Sequence, residues 1–436
     1  MKKVLLVITA VLFLVTASVS LRAEDAADGP KITGGVNFYL YTFFWNNTDF
    51  NQKDYESGDQ TIKGNSDSYN FNYGHGSFYL KADWGKATLF TRWSAWGQFG
   101  MHSVFGAPAD PATHLVEGYV EMKDLIGPFS LKVGKIHMLY GEGLACFDGG
   151  EEGQTGFLLS TSKDKFSLDL FYRKTQDNGG WGEMGFSGFR NPAAIIDWDS
   201  WGAYATINLD KFTVSPYFFH RSFGKDKPMW LGADVHVNLI DGLAIKAEFV
   251  KMFGDNAGID YTGSALVLKG DYTATSGMNF GAAYGQESGD NSSDGKNSTY
   301  ESVMSNPYTN GYYKGWVGLG PAHLTSTPAA FSLQAPFAYM MSNITWLNGH
   351  VGTKIKNVSL RLDFFKYGKQ KVVTGSKDLG YEIAGLLMTN LKGINFGATM
   401  GVWMPGDHIS KVLALGDDSR YGGYIFFAKS FDFKLN

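Results

Sequence analysis

The chain of 436 residues is long enough for two or three ordinary soluble domains, yet its composition is uniform from end to end. Aromatic residues make up 15% and charged residues 18%, against roughly 25% charged residues in ordinary globular proteins. The formal charge of −4 gives no basis for a nucleic-acid partner, and a single cysteine, Cys146, excludes an intramolecular disulfide and a cysteine-based zinc cluster.

The N-terminus has the pattern of a secretory signal. Lys2 and Lys3 precede an apolar run at 4–20, and small residues follow that run. These are the three parts of a signal peptide. We predict that residues 1–23 are a cleaved signal peptide and that residues 24–436 form one domain, with an N-terminal membrane anchor as the alternative. No later run reaches the ~18 apolar residues that a membrane-spanning helix needs.

The remaining chain alternates polar and apolar residues with the period of two that is typical of β-strands. In the stretch 77–99, Phe78 and Leu80 share one face, whereas Tyr79 and Lys81 share the other. The same alternation continues to the C-terminus. We therefore expect the last strand, 420–436, to pair with the first, 32–45.

Short and long connections alternate between the predicted strands. Eight tight turns are predicted near 85–86, 125–128, 163–165, 210–211, 239–242, 273–276, 355–357 and 391–393. Nine longer polar connections are predicted at about 46–69, 100–112, 141–153, 177–197, 223–227, 254–259, 287–335, 371–377 and 405–418. They join eighteen strands, with sixteen as the next count. This pattern predicts an all-β fold, a single transmembrane antiparallel β-barrel with short periplasmic turns and long extracellular loops.

If the apolar face meets lipid, the polar face lines the lumen. We predict twelve pore-lining residues: Lys81, Arg92, Glu117, Glu121, Lys123, Lys132, Lys135, Arg173, Arg221, Arg361, Asp363 and Glu382. Opposite charges often lie close together, as in Arg361 with Asp363 and Lys246 with Glu248. Two roles therefore stay open, a lattice of ion pairs that braces the wall and a track for solute. The loop at 287–335 is the expected constriction.

Three finer expectations concern the two faces. Val116, Gly118, Val120 and Met122 should face lipid, and a bulge at Gly134 should let Lys132 and Lys135 share the inner face. Seven tryptophans near strand ends are expected in interfacial girdles: Trp84, Trp93, Trp96, Trp198, Trp201, Trp230 and Trp403.

Catalytic motifs are not found in the sequence. It contains neither a G-x-S-x-G elbow nor an H-E-x-x-H zinc motif. We predict that the protein is not an enzyme and binds no cofactor or metal. A barrel hydrolase whose site is assembled from separate strands is the minor alternative.

Three stretches resemble the alginate-export type of outer-membrane barrel. The stretch 116–149 matches that family at Glu117, Tyr119, Val120, Leu131, Gly134, Lys135, Tyr140, Gly141, Glu142 and Leu144. The stretch 279–291 resembles a strand of the family that runs into an S-G-D loop, and 377–407 resembles a late L-G-x-E hairpin that ends in P-G-D. The resemblance implies eighteen strands and passage of a polysaccharide or another hydrophilic solute. Lys135 stands where the family has arginine, and Ile136 replaces a glutamine, so alginate selectivity is not carried over.

The sequence thus predicts a porin-like channel for passive passage of hydrophilic solutes, with oligo- or polysaccharides as candidates. It is expected in the outer membrane of a Gram-negative-type cell. Expected partners are outer-membrane lipid, the solute, the barrel-assembly machinery and a protein inside or beside the barrel. The alternative is a structural or partner-binding barrel, such as the sheath of an electron-transfer or secretion assembly.

Overall fold

A computed structural model describes most of the chain. The described residues are 29–46, 55–57, 60–62, 69–99, 112–147, 154–176, 198–290, 294–301, 343–412 and 417–435. The predicted signal peptide, 1–23, lies outside them, as do residues 302–342 within and beyond the expected constriction loop.

Eighteen antiparallel strands form one closed barrel. They are β1 (Lys31–Asn46), β2 (Tyr69–Asp83), β3 (Ala87–Phe99), β4 (Ala112–Ile126), β5 (Phe129–Ile136), β6 (Gln154–Lys163), β7 (Phe166–Gln176), β8 (Trp198–Leu209), β9 (Phe212–Phe223), β10 (Asp226–Ile240), β11 (Leu243–Asn256), β12 (Ser264–Thr273), β13 (Met278–Glu287), β14 (Ile344–Ile355), β15 (Val358–Lys369), β16 (Asp378–Leu391), β17 (Ile394–Pro405) and β18 (Arg420–Leu435). The barrel closes where Ile32 of β1 lies opposite Ala82 of β2 and Leu435 of β18. The predicted strand count and the pairing of last strand with first are confirmed.

Some short elements are not among these eighteen strands. Two-stranded pairs join Tyr55–Ser57 to Gln60–Ile62 and Leu139–Tyr140 to Cys146–Phe147, and Ile259–Tyr261 pairs with Lys296–Asn297. A helical turn at His408–Val412 precedes β18. Within the described part of the chain, no helix is long and apolar enough to cross a membrane.

The eight tight turns all lie at one end of the barrel and contain two to four residues each. Asp210 has a φ of 45° in one of them, a conformation that aspartate tolerates better than most residues. At the opposite end, the predicted long connection at 223–227 is wrong. Gly224 and Lys225 alone join β9 to β10, with a φ of 61° at Gly224. Polar composition does not distinguish such a turn from a loop.

The two faces of the wall differ sharply in side-chain exposure. On β11, Phe249 is 53% exposed and its neighbour Glu248 is fully buried; on β15, Leu362 is 53% exposed and Asp363 is fully buried. The outer face carries exposed apolar side chains on nearly every strand, for example Phe38, Phe78, Leu89, Phe157, Leu170, Leu231, Leu268, Phe280, Leu347, Ile383, Met400 and Phe427. The apolar face of the alternation is therefore the outer one.

Some expectations about the faces are wrong. Val116 is buried because it is the extra residue of a bulge opposite Arg92 and Trp93. Met122 is also buried, although the register keeps it on the same face as Val120. The expected bulge at Gly134 does not occur, since the register runs without a shift from Lys132 to Lys135.

The tryptophan expectation is wrong for two of the seven residues, and the side chains of Trp96 and Trp198 lie outside the described part of the structure. Trp84, Trp93 and Trp201 are exposed on the outside. Trp230 and Trp403 are fully buried on the inner face, which excludes them from a girdle.

Gly134 is required by the close approach of β4 to β5. Its φ is 140°, and a β-carbon there would lie 2.2 Å from the carbonyl oxygen of Gly118. We expect Gly134→Ala to destabilise the barrel by more than about 1 kcal/mol, because alanine neither adopts this φ readily nor fits the space. Heat-modifiable gel migration measures the temperature at which the folded form is lost, and this temperature should be lower for the variant than for the parent. Gly270→Ala, in β12 with nothing within 4 Å, is the matched control and should migrate like the parent.

Candidate functional site

The chain that leaves β5 turns into the barrel. Residues 137–147, here called the inner segment, lie along the inner wall of β7 to β12. Tyr140 stacks on Tyr204 of β8 with ring centroids 4.6 Å apart and on Phe171 of β7 at 5.8 Å. Its hydroxyl donates a hydrogen bond to Asp169 Oδ2 at 3.2 Å. The inner segment therefore narrows the lumen from one side.

One buried carboxylate of the wall, Glu248, accepts two backbone hydrogen bonds from this segment. Glu248 Oε2 accepts hydrogen bonds from the backbone N–H groups of Glu142 at 2.7 Å and Leu144 at 3.3 Å, while Oε1 accepts one from the Tyr217 hydroxyl at 2.6 Å. Gly141 passes so close that a β-carbon there would lie 2.9 Å from the Glu248 carboxyl carbon. Two backbone donors of a non-regular segment are thus satisfied by the barrel wall.

Glu142 itself is the centre of an ion-pair cluster. Its Oε2 lies 2.6 Å from Lys269 Nζ, and its Oε1 lies 3.2 Å from both Lys246 Nζ and His236 Nε2. Burial alone would raise the pKa of this carboxyl. The hydrogen bond and charge of Lys269, with the charge of Lys246, hold the pKa below its ordinary value. The segment is therefore tied to β10, β11 and β12 by charge as well as by hydrogen bonds.

The start of the long loop between β13 and β14 covers the inner segment. Tyr300 is buried, and its hydroxyl donates to the Leu144 carbonyl at 2.8 Å. The next residue, Glu301, accepts from Trp230 Nε1 through its carbonyl at 2.7 Å and from Arg221 through its side chain at 3.2 Å. The described part of the expected constriction loop thus packs on the inner segment. The inner segment itself was not predicted from the sequence.

An apolar core forms between the inner segment and the wall. It includes Ile136, Met138, Tyr140, Leu144, Cys146, Phe171, Tyr217, Phe219, Trp230, Val250, Met252 and Val267, among others. These side chains fill part of the cross-section. Aromatic and charged side chains on the inner wall of β1 to β5, such as Tyr79, Phe90 and Arg92, are half-buried instead.

Most predicted pore-lining cations lie beside carboxylates. The pairs, with their N–O distances, are Lys81 with Asp83 at 3.3 Å, Lys123 with Asp83 at 3.8 Å, Arg92 with Glu117 at 3.7 Å, Arg221 with Asp226 at 2.9 Å and Arg361 with Asp363 at 2.7 Å. Lys132 lies opposite Glu121 and 4.5 Å from the centroid of the Tyr119 ring. Such pairs suit a bracing role. A role for these residues as a solute track stays a prediction.

The other predicted residues have different surroundings. Arg173, Asp363 and Glu382 are fully buried. Lys135 lies opposite Gly118 and Thr155, three positions from Lys132 in continuous register. Because side chains alternate between faces, the register puts Lys135 on the face opposite to Lys132.

The residues that hold the inner segment were not predicted from the sequence. Lys246 and Glu248 were expected to pair along the strand, whereas Lys246 contacts Glu142, and Glu248 accepts hydrogen bonds from Tyr217 and the inner segment. Glu142 was noted only as part of a resemblance. Its partners lie about a hundred residues away in the chain, and no local pattern signals such contacts.

No family model matches the chain, and no curated protein matches it in sequence. Its fold is similar to several solved structures. Pseudomonas aeruginosa OccK11 (OpdR) aligns with a TM-score of 0.52 at 13% identity, over 94% of this chain and 97% of that one. Acinetobacter baumannii OccAB1 gives 0.57 at 12%, over 93% and 97%. Pseudomonas aeruginosa OccK8 (OprE) gives 0.54 at 12%, over 93% and 98%. These neighbours are Occ/OprD outer-membrane porins, and the likeness concerns the fold alone: the chain has a porin-like β-barrel.

Proposed function

We propose that this protein is an outer-membrane channel through which small hydrophilic solutes diffuse passively. The observation that carries the proposal is the inverted wall, with apolar side chains exposed outside and charged or polar ones inside a closed ring of eighteen strands. A closed barrel satisfies all of its inter-strand hydrogen bonds, as lipid requires. Barrels of this strand number leave room for water. The Occ/OprD fold neighbours support the same reading.

The inner segment sets the expected pore size. Because residues 137–147 and the core beneath them fill one side of the lumen, the open path should be narrower than the ring of strands alone would allow. A narrow lumen lined by paired charges suits small polar solutes of mixed charge. It offers no excess of unpaired cations for a polyanion, since most described basic side chains named above have an acidic neighbour.

Planar-bilayer recording tests the proposal. Purified protein should give steady, ohmic current steps in neutral salt. A barrel that inserts but carries no current would contradict the channel function. That result would favour the structural or partner-binding barrel, with a protein partner inside or beside it.

Finer features belong to the same proposal. The alginate-export type and a saccharide solute rest on the three resembling stretches, and blocking of the current by neutral or acidic oligosaccharides tests them. Export by a signal peptide at residues 1–23 and insertion by the barrel-assembly machinery are proposed from the N-terminus and the fold. We also propose that the barrel is not an enzyme. Phospholipase or protease turnover that is lost on substitution of one serine or histidine would contradict this.

A further inference from the structure

The ion-pair cluster around Glu142 contains three side chains whose ligand atoms converge. Glu142 comes from the inner segment, and Asp234 and His236 come from the inner face of β10. His236 Nε2 lies 3.0 Å from Asp234 Oδ1 and 3.2 Å from Glu142 Oε1. All the ligand atoms of this group lie within 4.8 Å of one another.

Two atoms of the group lack a hydrogen bond despite their burial. Asp234 is 2% exposed, and its Oδ2 accepts from the Tyr204 hydroxyl at 3.2 Å. Its Oδ1 and His236 Nε2 are both buried without a hydrogen-bond partner in the described part of the chain, although they lie 3.0 Å apart. The two atoms are in contact without the alignment of a hydrogen bond, so a cation bound between them would satisfy both.

The spacing fits a metal ion. Nitrogen and carboxylate oxygen ligands lie about 2.0–2.2 Å from a divalent first-row metal such as zinc. Two ligands at such distances are about 3.0 Å apart at a right angle and about 3.4 Å apart at the tetrahedral angle of zinc. His236 Nε2 lies 3.0 and 3.2 Å from the two carboxylate oxygens, within or close to this range. One imidazole and two carboxylates form a donor set that these metals accept.

More carboxyl groups than ammonium groups surround these three residues. Glu248 of β11 lies directly opposite Asp234 of β10, so three carboxylates, counting Glu142, share this part of the wall. They face two ammonium groups, Lys246 and Lys269. Lys269 bonds to the Glu142 oxygen that the metal would leave free, and Lys246, 43% exposed, has room to move into the lumen.

We propose that Glu142, Asp234 and His236 bind a divalent transition-metal ion that fastens the inner segment to the barrel wall. The ion joins a ligand of the segment to two ligands of β10, so its binding stabilises the narrowed lumen. This proposal does not depend on whether the barrel conducts. The metal ligands must be deprotonated, so binding weakens as the pH falls.

Zinc titration of the purified, detergent-solubilised barrel tests the site by calorimetry. The parent should bind one Zn²⁺ per chain, and His236→Gln and Asp234→Asn should each weaken binding by about tenfold or more, the factor equivalent to ~1.4 kcal/mol. His220→Gln is the matched control, since His220 stacks on Trp201, which is exposed on the outer face, and its binding should equal the parent's. Heat-modifiable gel migration verifies that each variant is folded.

Lys246→Met separates a metal site from a simple ion-pair cluster. Removing an ammonium group 3.2 Å from Glu142 Oε1 should tighten Zn²⁺ binding, because it removes a competing cation. Equal Zn²⁺ affinity in the parent and in His236→Gln would overturn the proposal. So would weaker or unchanged affinity in Lys246→Met.

Discussion

Replacing Glu248 with alanine is expected to release the inner segment and raise the single-channel current. The substitution removes the acceptor for the Tyr217 hydroxyl and for the backbone N–H groups of Glu142 and Leu144. Each buried donor left without a partner costs about 1–3 kcal/mol. Since both backbone donors belong to the inner segment, that cost falls on its folded-in conformation. Planar-bilayer recording should show larger and noisier steps than the parent gives.

Two control variants test whether the effect is due to the Glu248 carboxylate. Glu248→Gln keeps one oxygen acceptor at the same place, so its current should lie between those of the parent and the alanine variant. Phe249→Ala removes the outward neighbour on the same strand, which is 53% exposed, and should leave the current unchanged. If Glu248→Ala conducts like the parent, the segment is held by other contacts and its anchoring by this carboxylate is wrong.

Acidification is expected to loosen the same segment through Glu142. The folded-state pKa of this carboxyl is lowered, with burial opposing and Lys269 and Lys246 producing the shift. A lowered pKa means that the ion pairs stabilise the folded-in segment fully above the ordinary value of 4.5 and lose that contribution as the pH falls through the lowered value. Current noise should therefore increase at acidic pH.

Glu142→Gln tests this directly. Glutamine cannot titrate, so the current noise of the variant should already be raised at neutral pH. It should lack the increase in noise that protonation of Glu142 causes at acidic pH. The other titratable groups around Glu142, namely Asp234, His236, Lys246, Glu248 and Lys269, remain in both proteins. If the current noise of Glu142→Gln increases on acidification as much as that of the parent, the pH response belongs to one of those groups instead.

The wall of the barrel could be predicted from local pattern. Alternation at Phe78 to Lys81 gives both faces of β2, and the same reasoning gives the ion pair of Arg361 with Asp363, two positions apart on one strand. Local reasoning failed where the register changes. Val116 is buried by a bulge whose position depends on how β4 meets β3, and Lys135 depends on whether Gly134 shifts the register. Both depend on pairing between strands rather than on either strand alone.

Period-two alternation and turn residues act over a few neighbouring positions, so a ring of alternating strands with an apolar exterior could be predicted from the sequence alone, with eighteen strands ahead of sixteen. What lies inside the ring depends on contacts between residues that are distant in the chain. The hydrogen bond from Glu142 to Glu248 joins residues 106 positions apart, and Tyr300 reaches Leu144 across 156. Such contacts exist only once the barrel has closed and brought β5, β11 and the long loop to one place. The strands follow from local chemistry, and the inner segment follows from closure.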